Sequence, residues 1–382
     1  MRALVVGCGR IGSAAVQDLS QTLSCVEVVV ADKDSVAAKK AVEKIGRRNL
    51  SWMLLDVTKP RRLVEVLKNF DLVLGFLPPK LGLRLVKACI QAGKNLVDVS
   101  YTPENPLVLH DQALKADVAI VPNCGLAPGI SNILVGHAVA KLDKVEKVHI
   151  FVGGLPEKPT PPLGYVITWS PESLIEMYTS KARIVKNGKI VEVEALSGLE
   201  NLDFPQIGRL EAFYTDGLRT LLYTIQGVDE MWEKTLRYPG HAEKMKLLRD
   251  LGFFSCEEIT VNGVKLQPSK VTAKLFERKL YSHAVKDVVA LKVEVYGSKE
   301  RVKTRYIYTL IDFYDEKGGV TAMARTTGFT ASIVAKLILE GKIRLKGVIP
   351  PERLGMDGEI YQQIMAELGG RGIKIIEETS VE

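Results

Sequence analysis

The stretch "ALVVGCGRIG", Ala3–Gly12, decides the fold. An apolar run ends in Gly-x-Gly-x-x-Gly, and a helical pattern, "IGSAAVQDLSQTL", follows with Ile11, Ala15 and Leu19 on one face. A lone glycine motif is weak. Here it ends a strand, opens a helix, and an acid, Asp32, stands 20 residues beyond the third glycine at the close of "VEVVVAD". That context makes it a dinucleotide-binding fingerprint. Gly7 allows the tight turn, Gly9 lets the backbone approach a pyrophosphate, and Gly12 allows close helix–strand packing. Amides at the helix start, near Arg10 and Ile11, then face the phosphates with the positive end of the helix dipole. Asp32 can accept from both adenosine ribose hydroxyls and would repel a 2′-phosphate, which favours NAD over NADP; Lys33 beside it pulls the other way.

Working outward, strand and helix patterns alternate through the first ~125 residues. "ALVVG", "VEVVVAD", "LSWMLLDV", "DLVLGFLP", "NLVDVS" and "VAIVP" read as strands, and "RRLVEVLKNF" as a helix started by Pro60. Continuous apolar strands between amphipathic helices predict a doubly wound parallel sheet covered on both faces, a Rossmann domain. From about Asn132 the rhythm changes. Asn187-Gly188 joins two alternating runs, and "DVVALKVEVYGSKERVKTRYIYTLID" reads as two long strands joined around Gly297-Ser298. The fold class is therefore α/β, with a second, α+β domain built on a mixed or antiparallel sheet. We expect a nucleotide domain over residues 1–125, a substrate domain over 126–325, and a C-terminal segment over 326–382.

Composition narrows the function classes. The 382 residues are 46% hydrophobic and 25% charged, without an apolar run long enough to span a bilayer. The net charge of +7 is interleaved with acids, as in "KKAVEKIGRR", and no nucleic-acid-binding motif accompanies it. Neither nucleic acid nor membrane is an expected partner. Five widely spaced cysteines without a C-x-x-C imply reduced thiols and a cytoplasmic location. No histidine or cysteine pair has metal-ligand spacing, so no metal is expected. The long hairpin offers an edge through which a homodimer is expected, although its exposed charges argue against promiscuous pairing.

Beyond the fingerprint, "ADKD", "NLVDVSY", "GLAPG", "VGGLP", "TLRYPGH" and "TGFTASIVAKLILEGKI…GVIPPE" resemble, in this order, the saccharopine dehydrogenase-like family. The likeness covers almost the whole chain. It implies a C-terminal segment that returns to the nucleotide domain, which suits the apolar "TASIVAKLIL". Saccharopine reductases in the family typically read G-L-D-P-G where this chain has Ala127, and carry a cysteine at the place of Val152. The lysine 6-dehydrogenase branch shares "GLAPG". The resemblance thus implies NAD-dependent oxidative deamination of the ε-amino group of L-lysine, giving 2-aminoadipate 6-semialdehyde, which cyclises, and ammonia. The alternatives are a reductive condensation of the saccharopine reductase or carboxynorspermidine synthase type, or a non-catalytic NAD-binding module.

Candidate residues follow from the motifs. For the cofactor they are Gly7, Gly9, Arg10, Ile11, Gly12, Asp32, Lys33, Asp56, Val57, Leu77, Pro78, Ser100 and Leu126. Asp56 either borders the adenine or caps the helix after it. For catalysis they are Asp98, to hold the amine and take its proton, and Tyr101, as donor or wall. Arg237 is the carboxylate clamp that the family's matching arginine implies. His241 is a proton-transfer group with an ordinary pKa near ~6.5. Asp98 reads equally as a loop cap. Arg219, Glu211 and Tyr214 are secondary candidates, and His110 and His283 look solvated.

Overall fold

The computed structural model describes residues 1–167, 170–280 and 285–381; His283 lies outside them. The chain divides into two compact units, Met1–Lys141 with Ala324–Ile375, and Leu142–Met323 with Ile376–Glu382.

In the first unit, seven described strands run in parallel in the order Leu50–Leu54, Glu27–Asp32, Arg2–Val6, Leu72–Gly75, Asn95–Asp98, Ala119–Val121 and Gly347–Val348. This is the Rossmann order, and the reversal of direction falls between Arg2–Val6 and Leu72–Gly75. The strands are apolar throughout because both faces are covered: Leu4, Val5, Val28, Val30, Val73 and Leu74 are fully buried. Each contributes roughly 1.5–3 kcal/mol relative to exposure. Gly347–Val348, two residues long, could not be recognised in sequence as a strand.

The compact units divide at 141/142, within the stretch expected as the substrate domain. The helix Ile130–Lys141 belongs to the first unit because its buried side crosses the helix Pro351–Met356 at backbone distance. A Cβ on Gly136 would stand 2.0 Å from the Glu352 carbonyl oxygen, and one on Gly355 would stand 1.9 Å from that of Ile133. The return also falls slightly earlier, at 323/324, in the helix Ala322–Leu339, and its apolar length is explained by burial. Ser332 on that helix donates to buried Asp18 of the helix Arg10–Thr22, which also receives Arg371 Nε at 2.6 Å.

In the second unit, seven described strands follow the order Glu200–Phe204, Gly208–Tyr214, Glu230–Arg237, Lys144–Pro156, Asp287–Lys299, Val302–Phe313 and Ile375–Val381. A hairpin, Ala182–Lys186 with Lys189–Val193, attaches to Glu230–Arg237. Only the pair Glu230–Arg237 and Lys144–Pro156 is parallel among the registered pairs, so the sheet is mixed. The turn at Asn187-Gly188 forms as expected, both residues having positive φ. The long hairpin turns at Glu300-Arg301, three residues later than expected. Gly297 instead marks a shift in register against Lys144–Pro156. The edge expected to serve a homodimer is also corrected: Val302–Phe313 is paired on its far side by the chain's own C-terminal strand.

Candidate active site

The first strand ends at Gly7, whose φ of +96° few side chains tolerate. A Cβ there would stand 2.4 Å from the Phe76 carbonyl oxygen, and one on Gly12 would stand 2.0 Å from that of Gly7. Gly9 differs: nothing lies within 4 Å of where its Cβ would be, and it is exposed. It caps the helix Arg10–Thr22, whose first turn holds no acid. The loop therefore has a tight turn, an open backbone approach and a helix start suited to an anion, which fits a dinucleotide pyrophosphate. Asp32 is tied to the same loop, accepting from Cys8 N at 2.9 Å and from Cys8 Sγ at 3.3 Å. Burial, with Asp32 as neighbour, pushes the Cys8 thiol up to about 12.

The other expected cofactor residues are placed as follows. Arg10 and Ile11 are half-buried and open the helix, and Lys33 is exposed. Asp56 accepts from Thr58 N at 2.9 Å and Thr58 Oγ1 at 2.7 Å, closing a turn ahead of the helix Pro60–Leu67, whose own cap is Lys59 without a side-chain bond; these bonds outweigh its modest desolvation and lower its pKa. The Val57 side chain lies in the core of the first unit. Leu77 packs against that core and Pro78 caps the helix Pro79–Ala92. Leu126 is buried within the turn Gly125–Gly129, where Ile130 N donates to Gly125 O.

Asp98 ends the fifth strand almost fully buried. Its Oδ1 accepts from Ser100 Oγ at 2.8 Å, so the serine hydroxyl is spent on the aspartate. Burial outweighs the Ser100 hydrogen bonds and raises the carboxyl to about 7. A carboxyl with that value exchanges a proton near neutrality. Tyr101, half-buried, follows it in the loop.

In the second unit, Arg237 closes the strand Glu230–Arg237 and is 3% exposed. Its Nε donates to Tyr178 Oη at 3.2 Å, one Nη donates to the Leu236 carbonyl at 2.7 Å, and the guanidinium lies 4.4 Å from the ring centre of Tyr165. His241 begins the helix His241–Asp250 fully buried. Its Nδ1 meets the Leu163 carbonyl at 2.9 Å and its Nε2 meets Tyr178 Oη at 2.9 Å. A carbonyl only accepts, so Nδ1 carries the proton, Nε2 accepts from Tyr178, and the Tyr178 oxygen is left to accept from Arg237. Burial first, then the Arg237 cation, lowers His241 to about 3. The imidazole is held neutral with both nitrogens engaged, so the titrating group expected near ~6.5 is not present here. Glu211 caps the same helix, accepting from Gly240 N at 2.8 Å and Ala242 N at 2.5 Å. Sequence reasoning missed Tyr178 and Tyr165. Both stand in apolar surroundings, and only the chain's return at Arg237 reveals their polar role.

A second buried group was also missed. Glu233 is 5% exposed, and burial raises it to about 8 despite the opposing Arg219 cation. Gly217 makes room for it, since a Cβ there would stand 1.6 Å from Glu233 Oε1. Arg219 pairs with Asp216 at 3.5 Å, and Asp216 receives Arg183 at 2.8 Å. Among the described residues no group of histidines, cysteines and acids is placed to hold a metal, and no helix is long and apolar enough to cross a membrane.

Comparison with known proteins divides the chain near residue 125. Residues 3–121 match the family domain described as "Saccharopine dehydrogenase NADP binding domain", and residues 125–373 match "Saccharopine dehydrogenase C-terminal domain". The chain is 28% identical to the alpha-aminoadipic semialdehyde synthase of Arabidopsis thaliana, over 94% of this chain but only 41% of that protein. It is 26% identical to the NADP(+), L-glutamate-forming saccharopine dehydrogenase of Saccharomyces cerevisiae, over 98% of each. The apo structure of saccharopine dehydrogenase (L-Glu forming) from Saccharomyces cerevisiae shares the fold, with a TM-score of 0.79, 23% identity and 99% of each chain covered. With its nucleotide-binding and C-terminal domains both matched, the chain is an oxidoreductase that belongs to the saccharopine dehydrogenase family.

Proposed function

We propose that this protein oxidises the ε-amino group of L-lysine with NAD, releasing 2-aminoadipate 6-semialdehyde and ammonia. The observation that carries this choice within the family is an apolar pair, Ala127 in "GLAPG" and Val152 before "GGLP", both half-buried. Saccharopine reductases of the family typically place an aspartate and a cysteine there. A substrate without the second amino-acid half needs no polar partners at those positions.

The glycine loop, the start of the helix Arg10–Thr22 and Asp32 would hold the dinucleotide. Asp32, an anion held against the loop by Cys8 N, favours a free ribose over a 2′-phosphate and supports NAD. A bound NAD would supply the acceptor for hydride from the substrate's ε-carbon. Arg237 binds the substrate carboxylate, with Tyr178 and Tyr165 fixing the plane of its fork. Asp98, poised near neutrality, takes the proton from the ε-ammonium, because only the neutral amine can lose hydride. Water then adds to the substrate imine, and ammonia departs. Five cysteines without a disulfide suit the cytoplasm.

The second reading, a reductive condensation, is favoured by the saccharopine dehydrogenases among the relatives. One absorbance experiment separates the two. L-Lysine with NAD is expected to yield NADH, faster at alkaline pH where more amine is neutral, while saccharopine with NAD or NADP yields little. Turnover of saccharopine without turnover of lysine overturns the proposal.

A further inference from the structure

We propose that Glu233 is a specificity-determining residue, which binds the ε-ammonium of the substrate and bars amines whose nitrogen carries a second, carboxylate-bearing chain. The proposal rests on L-lysine as the substrate and on Arg237 as the anchor of its carboxylate; proton removal stays with Asp98. Side chains alternate between faces along the strand Glu230–Arg237, so Glu233, Thr235 and Arg237 share one face, while Trp232 and Leu236 enter the core behind it. All three are buried. Four residues at ~3.3 Å each put Glu233 and Arg237 roughly 13 Å apart along the strand, about the span of an extended lysine with a hydrogen bond at either end. The ground between them is apolar on both sides. Val152 is registered with Thr235 on the parallel neighbour, and Phe213 on the antiparallel one. These side chains suit the methylene chain of lysine, and Val152 is one of the two positions that set this chain apart from saccharopine reductases.

Glu233 also has binding capacity to spare. Glu211 and Asp287, buried in the same unit, spend their carboxylates on helix-start amides, and Glu294 meets Lys292 and Arg305. Glu233 Oε2, by contrast, is buried and meets no hydrogen-bond donor among the described residues. Buried polar atoms are rarely left so. The charged groups facing Glu233 come from the loop after the strand Gly208–Tyr214: Arg219, whose Nη1 goes to Asp216, and Asp216 itself, which also receives Arg183. On the parallel neighbour, Ile150 beside it is apolar. An ammonium supplies the missing donors and a compensating charge. Its binding displaces the proton that burial retains on Glu233 up to about 8. A nitrogen that carries a glutamate half, as in saccharopine, brings further carboxylates against Glu233 and is repelled.

The test is isothermal titration calorimetry on the full chain with NADH bound, a complex that cannot oxidise lysine. L-Lysine is compared with L-norleucine, which lacks only the ε-ammonium. Glu233→Gln, which keeps the size of the side chain, should weaken lysine binding about 10–100-fold and leave norleucine binding unchanged. Retained norleucine binding also shows that the variant is folded. Saccharopine binding should tighten in the same variant. At pH 7, titrations in buffers of different ionisation enthalpy should show the variant releasing about one proton fewer on binding lysine. Equal loss for lysine and norleucine, or unchanged lysine affinity, overturns this inference alone. A wild type that does not bind lysine overturns the proposed substrate and this inference together.

Discussion

The two units prepare for chemistry in different ways. The first unit uses backbone: Gly7, Gly9 and Gly12 act through the side chains they lack, and the helix start supplies the charge. The second uses side chains in series, from the Leu163 carbonyl through His241 and Tyr178 to Arg237. A backbone device tolerates no added atom. A side-chain chain tolerates graded loss. That contrast sets the expected order of effects.

The largest effect is expected from Gly12→Ala. Its Cβ would meet the Gly7 carbonyl oxygen at 2.0 Å, a rigid atom that cannot step aside without opening the loop. Dinucleotide affinity, read by fluorescence titration, should fall by about 100-fold or more, that is by about 2.7 kcal/mol or more. Unaltered affinity would remove the contrast at its first term. Next comes Arg237→Ala, expected to lower kcat/KM for the amino acid by ~10²–10³-fold, mostly through KM, because a buried charge contact is lost. Cofactor binding should not move. A lysine at this position should recover little, since it lacks the planar fork.

Tyr178→Phe sharpens the comparison. It leaves the cation in place but removes the hydroxyl that joins it to His241, and a cost of about 0.5–1.5 kcal/mol implies a ~2–13-fold rise in KM. If Tyr178→Phe matched Arg237→Ala, the tyrosine would itself hold substrate and not merely position the arginine. The smallest expected effect is on pH dependence. Glu233 keeps its proton in the folded protein up to about 8, whereas the unfolded chain releases it near the ordinary value of 4.5. Between those values the folded state binds more protons, so this group makes stability fall as pH rises. Glu233→Gln should flatten urea-midpoint curves across that window, gaining most at the alkaline end. Parallel curves for the two proteins would show that Glu233 is not buried as a neutral acid.

The same contrast explains what was legible in the sequence. A backbone device leaves a fixed spacing of glycines, so the Rossmann sheet and Asp32 could be read directly. The mixed sheet was legible in outline from Asn187-Gly188 and the long alternating runs. The turn of the long hairpin was misplaced because Gly297 serves a change of register and the positive φ values fall on Glu300 and Arg301. The series at Arg237 was only half visible. Arg237 and His241 lie four residues apart, but Tyr178 and Leu163 come from distant segments, and no local pattern distinguishes a bonded tyrosine from a core one. The ordinary pKa assigned to His241 failed for the same reason, since burial is a property of the fold. That the helix Ile130–Lys141 packs within the first unit was not legible, because its tight crossing with the helix Pro351–Met356 depends on residues more than two hundred apart.

The connectivity bears on how the chain matures during synthesis. The sheet that starts at Arg2 gains its last strand only at Gly347–Val348, and the sheet of the second unit gains its own last strand at Ile375–Val381. Neither sheet can close while the chain is still being extended through residues 142–323. Until Ile375–Val381 has been made, the long hairpin presents a bare edge open to mispairing.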